Sequence, residues 1–245
     1  MTPPTPPSPG RVAVIGDGRV GNALAPALRD AGVQVDGPLG RGATADEADV
    51  VLLCVPDREI AAAAAQIAPT KLVGHCSGAT TLAPLAGHEA FSLHPLMTVT
   101  GTGAPLRGAG AAIAGSTPRA VAAAQALADA LGLCAVVIDD SDRAAYHAAA
   151  SIASNFLVTL EGAAEELLAT TRADRELLVA LVRATVDNWA AGGARAALTG
   201  PIARGDEPTV ARQREAVRQR TPHLLELFDA LAAATRELAS PEVAA

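Results

Sequence analysis

The sequence predicts an α/β chain, with a doubly wound parallel sheet in its N-terminal part and an all-helical domain after it. Three observations carry this. Short apolar runs without polar alternation stand at Val12–Ile15, Val33–Val35, Val50–Val55, Leu72–Gly74, Ala90–Leu93, Ala111–Ala114 and Ala135–Ile138, separated by Ala-rich pieces of helix length. That is the pattern of parallel strands buried on both faces. From Asp142 to Ala239 no such run recurs and the periodicity is helical throughout. Finally, 50% of the 245 residues are apolar but only 2% are aromatic. The core must therefore be packed with Ala, Val and Leu, which suits buried strands and close-packed helices.

Taken in order, residues 1–10 contain the run Pro-Pro-Thr-Pro-Pro-Ser-Pro. Proline supplies no backbone N–H, so this segment reads as a disordered or extended leader. Residues 11–140 form the sheet domain and residues 141–245 the helical one. Within the latter, helices are expected at about 141–170, 173–191, 209–220 and 222–238, with a Gly/Pro-containing loop between the second and third.

Composition narrows the partners. A net charge of −7 without a dense Lys/Arg stripe argues against nucleic acid and against an anionic membrane surface, leaving a small molecule as the expected partner. No run approaches the roughly 18–20 apolar residues of a bilayer span, and no basic segment followed by an apolar run opens the chain, so it reads as cytoplasmic. Cys54, Cys76 and Cys134 lie far apart in apolar or small-residue surroundings. Each reads as a small buried hydrophobe, and neither a disulfide framework nor a metal site is implied.

The strongest motif follows the first strand: Gly16-Asp17-Gly18-Arg19-Val20-Gly21, then a helix start. Gly16 makes a tight turn, Gly18 lets the backbone approach a pyrophosphate and Gly21 lets the helix pack on the strand. The helix start, with Arg19 and Val20, presents free N–H groups to the anion. This is the dinucleotide fingerprint of a Rossmann domain. A glycine turn without a ligand, or one serving S-adenosylmethionine, is the competing reading.

The choice between NAD and NADP depends on the end of the second strand, about 20 residues on, where an acid would bind the ribose hydroxyls. That count reaches Gly40-Arg41. Arg41 can pair with the extra phosphate of NADP, which favours NADP over NAD; a solvated loop cation is the plain alternative. Asp36 is the competing acid, but it comes too early on the same count. At the carboxyl ends of the following strands, Val55 and Pro56 should lie against the cofactor, with His75 to Gly78 near the nicotinamide. Ser77 is a candidate for binding there, or a hydroxyl that caps the next turn. His94, before Pro95, is a site candidate or a histidine tied to a turn.

In the second domain His147, Ser151, Ser154 and Asn155 fall within an arc of roughly 100° on a helix counted at about 100° per residue. Tyr146 falls on the side opposite Asn155. Such a stripe can bind a carbonyl oxygen and supply a proton, or simply tie the helix to its neighbours. Thr199, Arg204 and Asp206 lie in a segment too rich in Gly and Pro for helix. Thr199 and Arg204 are substrate-binding candidates, with Arg204 clamping a carboxylate; an Arg204–Asp206 brace across the turn is the alternative.

With these residues in hand the chain resembles the Rossmann proteins related to pyrroline-5-carboxylate reductase, prephenate dehydrogenase and the 6-phosphogluconate dehydrogenase-like group. More closely, it resembles a bacterial Rossmann-like family whose helical C-terminal domain has no assigned function. The matching stretches are Gly16–Gly21, Val55-Pro56-Asp57, His75-Cys76-Ser77-Gly78, Ser92-Leu93-His94-Pro95, Tyr146-His147-Ala148-Ala149, Ser154-Asn155-Phe156 and Leu198 to Asp206. The resemblance implies a 6-phosphogluconate dehydrogenase-like helical domain that pairs with its twin in a homodimer, and NADP-linked reduction of a small carbonyl or imine. It departs from the pattern at Arg212-Gln213-Arg214, where many relatives carry a histidine after the Gly-Asp turn.

The lysine that β-hydroxy acid dehydrogenases and ketopantoate reductases use as general acid is also missing, since Lys71 is the sole lysine and precedes a strand. Protonation must then come from His147, from His94, or from a water held by Ser151 and Asn155. His147 is the first choice, because an imidazole titrates near neutrality. The expected function is hydride transfer between NADPH and a carbonyl or imine carbon, such as that of a 2-oxo acid, with Ser77, His94, His147 and Asn155 around the reacting group. A non-catalytic NADP-binding sensor is the alternative of a different class, and methyl transfer a third.

Overall fold

The computed structural model describes residues 10–100 and 105–240. Of the expected leader, all but Gly10 lies outside the described residues. The chain divides into two compact units, residues 1–154 and 155–245.

The first unit is built on a seven-stranded sheet of order β2-β1-β3-β4-β5-β6-β7. Its strands are Arg11–Ile15 (β1), Gln34–Leu39 (β2), Val50–Leu53 (β3), Leu72–His75 (β4), Glu89–Pro95 (β5), Gly110–Gly115 (β6) and Cys134–Val137 (β7). All seven apolar runs of the sequence are strands. Successive residues of a strand point to opposite faces, and β1 shows the consequence. Val12 and Val14 enter one core with Leu24, Leu28, Phe91, Ile113 and Leu127. Ala13 and Ile15 enter another with Val51, Leu53, Ile60, Val73 and Leu85. Helices Arg19–Asp30 (α1) and Pro118–Ala130 (α3) pack on the first face, and the short Ile60–Ala64 (α2) packs on the second.

The sheet departs from the expected all-parallel order at one join: β5 and β6 run antiparallel, His94 opposite Ala112. A parallel pair needs a crossover that carries the chain back to its starting edge. Among the described residues between Pro95 and Gly110 there is no helix to do this. The second strand is also longer than its apolar run, extending through Gly37 and Pro38. As the edge strand it can carry a proline, whose missing N–H costs no ladder bond on the open side. Arg29 of α1 donates to the carbonyls of Val35 and Gly37 and holds this edge.

The helix after β7 begins as Arg143–Ser151 (α4), passes through a π-helical turn at Ile152–Phe156 and resumes as Leu157–Ala169 (α5). A π turn carries an inserted residue, so a steady 100° count does not hold across it. The arc expected to join His147 and Ser151 to Ser154 and Asn155 is therefore broken at residues 152–156.

The second unit continues with Glu176–Ala197 (α6), Glu207–Arg220 (α7) and Leu225–Ala239 (α8). Gly193 breaks α6 with φ +76°, close to where the sequence ends its second helix. Asp206 caps α7 by accepting from the Thr209 N–H, the main cause that lowers its pKa, with the charges of Arg212 and Arg204 as lesser causes. Two bidentate pairs, Arg214–Asp229 and Arg236–Glu207, tie α7 to α8. Val158, Leu177, Leu181 and Trp189 of this unit remain exposed. Among the described residues no helix is long and apolar enough to cross a membrane.

Candidate functional site

At the carboxyl edge of the sheet the chain turns from β1 into α1 through Gly16-Asp17-Gly18. Backbone hydrogen bonds fix the turn on both sides, from Gly16 N–H to the Leu39 carbonyl (2.8 Å) and from Cys54 N–H to the Ile15 carbonyl (2.7 Å). Gly16 has φ +118°, and a Cβ there would stand 2.3 Å from the Cys54 carbonyl oxygen. At Gly21 a Cβ would stand 1.8 Å from the Gly16 carbonyl oxygen. At Gly18 it would meet nothing within 4 Å. Gly16 and Gly21 are thus required by packing, whereas Gly18 is bare toward open space. No side chain caps the start of α1 and no acid stands in its first turn, so its first N–H groups are free for an anion. Asn22, unremarked in the sequence, donates from its side chain to the carbonyls of Asp17 (2.5 Å) and Gly18 (3.1 Å) and stiffens the bend.

This turn opens on a cleft of about 550 Å³ whose walls include Gly16, Gly18, Arg41, Cys54, Val55 and Pro56. The cleft lies where β2 and β3 depart to opposite sides of β1, the switch point at which open α/β sheets bind ligands. These residues fit a dinucleotide: a bare glycine and free amides for the diphosphate, and an apolar wall opposite. Arg41, just past the end of β2, has its side chain 85% exposed and pairs with Glu59 at 3.0 Å. An ion pair so open to water is weak and exchangeable. Asp36 sits mid-strand and is bound bidentately by Arg11 at 2.7 and 3.0 Å, which holds its carboxyl below the ordinary range.

The cleft wall leads directly to a second cluster. After Pro56 the carboxylate of Asp57 accepts hydrogen bonds from the hydroxyls of Ser77 (2.7 Å) and Thr80 (2.8 Å). The Ser77 oxygen in turn accepts from the Thr80 N–H at 2.9 Å. These bonds give Ser77 the capping role, with its hydroxyl directed to Asp57. His75 is fully buried. Its Nδ1 accepts from the Ser77 N–H and its Nε2 lies 3.1 Å from the Thr81 carbonyl, so a neutral ring pins the loop from beneath. Burial is the main cause that lowers its pKa.

Gly78 is the centre of the cluster. A Cβ there would lie 2.7 Å from His94 Cε1 and 2.9 Å from His147 Cδ2. His94 Nδ1 lies 2.9 Å from the Tyr146 hydroxyl, with the rings edge to face at 5.7 Å. The His94 and His147 rings are 6.3 Å apart. Burial, with help from His147 and Arg143, pushes His94 down to about 4. Behind them Arg143, 1% exposed, donates from Nε to Asp140 (2.6 Å) and from Nη2 to Ser92, while its Nη1 has no partner.

The structure thus brings Ser77, His94 and His147 to one place. Ser151 ends α4. Asn155, exposed in the π turn, and Thr199 and Arg204, exposed before α7, belong to the second unit. Gly78, expected near the nicotinamide, and Tyr146, quoted in a matching stretch, had been given no role of their own, and Arg143 was missed. The only signal for Arg143 was its closeness in sequence to His147, and the helical count set Tyr146 aside. Cys54 and Cys76 are half-buried free thiols 3.6 Å apart; Cys134, expected to be buried, is exposed on the edge strand β7. Among the described residues no group of His, Cys, Asp or Glu is placed to hold a metal.

Residues 109–235 match the family described as Domain of unknown function (DUF2520). The chain belongs to that family. Its fold recurs in solved structures. One is a Bacteroides fragilis protein described as a candidate NADP oxidoreductase, with 19% identity, TM-score 0.78, and 93% of this chain and 98% of that one covered. Another is the pyrroline carboxylate reductase of Plasmodium falciparum, solved with NADP bound, with 12% identity, TM-score 0.60, and 95% and 99% covered. A third is an imine reductase of Aspergillus terreus, with 17% identity, TM-score 0.60, and 93% and 94% covered. These likenesses establish the Rossmann fold with its helical C-terminal region for this DUF2520 chain. No curated protein matches it in sequence.

Proposed function

We propose that this protein is a cytoplasmic NADP-dependent oxidoreductase that reduces the carbonyl or imine carbon of a small metabolite, such as a 2-oxo acid. The observation that carries the reading is the uncapped start of α1 behind a bare Gly18, opening on a cleft walled by Val55 and Pro56. Dinucleotide reductases among the structures of like fold support it.

In this reading the free amides after Gly18, with Arg19 and Val20, bind the diphosphate, and Arg41 leaves Glu59 to pair with the 2′-phosphate. NADPH, when bound, supplies the hydride. The cluster around Gly78, reached from the cleft wall through Asp57 and Ser77, supplies the proton-bearing groups, His94 and His147 among them. The exposed Val158, Leu177, Leu181 and Trp189 support a homodimer in which a second copy covers them.

Calorimetry with NADPH and NADH tests the reading. NADPH should bind more tightly, and Arg41→Ala should cost about 1 kcal/mol of NADPH affinity, a few-fold, while leaving NADH unchanged. Binding of neither dinucleotide by folded protein overturns the function. Consumption of NADPH with 2-oxo acids, ketopantoate-like compounds or cyclic imines then identifies the substrate class.

A further inference from the structure

We propose that Tyr146 gives the proton in this reduction and that His94 and Arg143 are the residues that position and stabilise it; the inference rests on the oxidoreductase reading above. Three groups at the Gly78 cluster could protonate a reduced carbonyl oxygen or imine nitrogen: His94, His147 and Tyr146. His94 is neutral at neutral pH, because burial disfavours its charged form. It carries a single ring proton and is no acid there. His147 has a ring contact with His94 at 6.3 Å but no hydrogen-bond partner among the described residues, so no bond fixes its tautomer. Tyr146 is the group that is held, by His94 Nδ1 at 2.9 Å and by an edge-to-face ring contact at 89°. An acid oriented by a second group that is itself anchored in the fold is the arrangement general acid catalysis requires. His94 meets that need, since β5 fixes its backbone and its neighbour Pro95 is buried.

Arg143 explains how the phenol can let its proton go. Burial makes the phenol a weaker acid, and the charge of Arg143 opposes this. The guanidinium is buried against one carboxylate, Asp140, whose side chain is 42% exposed, and one guanidinium nitrogen has no acceptor. A buried cation with so little compensation is costly to the fold, and it leaves positive potential on its neighbours. That potential falls on Tyr146 and His94. It is spent where negative charge develops, on the phenolate oxygen. The other ionisable groups whose charges reach His94 are His147, Asp57 and His75; Asp140 faces Arg143.

As hydride from the reduced dinucleotide forms the new C–H bond, the π electrons of the carbonyl or imine move to oxygen or nitrogen. The Tyr146 O–H bond breaks and the new O–H or N–H bond of the product forms. The phenolate accepts a hydrogen bond from His94 in its Nδ1–H tautomer and takes a proton back from water.

The chain has one tyrosine, so biosynthetic 3-fluorotyrosine labels position 146 alone, and fluorine NMR of the full-length protein reads its ionisation. With the nicotinamide beside Tyr146, the midpoint should be lower in the NADP+ complex than in the NADPH complex by about one pH unit, since the oxidised ring carries the extra positive charge. Arg143→Gln should raise the midpoint. Asp140→Asn, which removes the compensating carboxylate and keeps the arginine in place, should lower it. With a turned-over 2-oxo acid or cyclic imine, Tyr146→Phe should lower kcat by on the order of 10²–10⁴-fold while NADPH affinity holds. A midpoint indifferent to the oxidation state of the bound dinucleotide, or a His147→Gln loss equal to that of Tyr146→Phe, overturns the assignment. Failure to bind either dinucleotide removes the oxidoreductase reading itself, and is seen first by calorimetry.

Discussion

The two halves of the site are made in different ways. The turn at Gly16–Gly21 is a backbone device. Its working groups are amides, its tight fit is a matter of missing Cβ atoms, and Arg41 at its rim is nearly free in solvent. The cluster at Gly78 is a side-chain device, in which the imidazoles of His94 and His147 stand over one glycine, a phenol bonds the first of them and a buried guanidinium bonds Ser92 on the same strand, β5. A backbone device depends on local geometry and tolerates little change at a few positions. A side-chain device depends on charge and burial, and should respond to pH.

The sharpest way to break this contrast is to fill the glycines. Gly21→Ala would place a methyl 1.8 Å from the Gly16 carbonyl oxygen, a backbone atom that cannot swing aside. We expect a stability loss of about 3 kcal/mol or more in urea unfolding and loss of dinucleotide binding by calorimetry. A variant that folds and binds as well as the parent would show that the turn is not so tightly packed.

The pH response separates the halves next. His94 is held at about 4 against an ordinary 6.5. Above pH 6.5 neither folded nor unfolded state protonates it, and its neutral burial is undisturbed. As pH falls from 6.5 to 4 the unfolded chain takes up the proton first, so stability declines across that window, by on the order of 2 kcal/mol. His75, lowered mainly by burial, adds in the same direction. Urea unfolding at intervals from pH 7 to 4 should show this slope, and His94→Gln should flatten it. An unchanged slope in the variant would mean that His94 is not held neutral by the fold.

Gly78→Ala should have the smallest effect on stability, about 1 kcal/mol, because its new methyl would meet imidazole carbons at 2.7 and 2.9 Å and side chains can rotate. Rotation nonetheless breaks the His94–Tyr146 geometry, so turnover should fall while calorimetry still shows NADPH bound. Loss of binding at Gly78→Ala would mean that the two devices are one.

How much of this could be read beforehand follows the same division. The strands were legible because each is an apolar run whose alternate residues must fill two cores, and the glycine turn because its spacing is set by local backbone geometry. The antiparallel return of β6 was not, since strand direction depends on where the connection from β5 brings the chain back. The end of β2 was hidden by Gly37 and Pro38, which break a strand in general and are tolerated at a sheet edge. Ser77 had two readings, and the nearby Asp57 decided for the cap.

The polar stripe is a separate case, because its residues are counted across a π turn. Counting at a fixed angle joined His147 to Asn155 and set Tyr146 apart, but the π turn at Ile152–Phe156 changes the count, and the histidine that holds Tyr146 lies 52 positions earlier in the chain. By itself the sequence determined the doubly wound sheet, the helical region after it and the glycine turn, because periodicity and glycine placement act over a few residues. Only the tertiary structure decided which groups share a proton and which cation is buried behind them, because hydrogen bonding and desolvation depend on residues that meet across the fold.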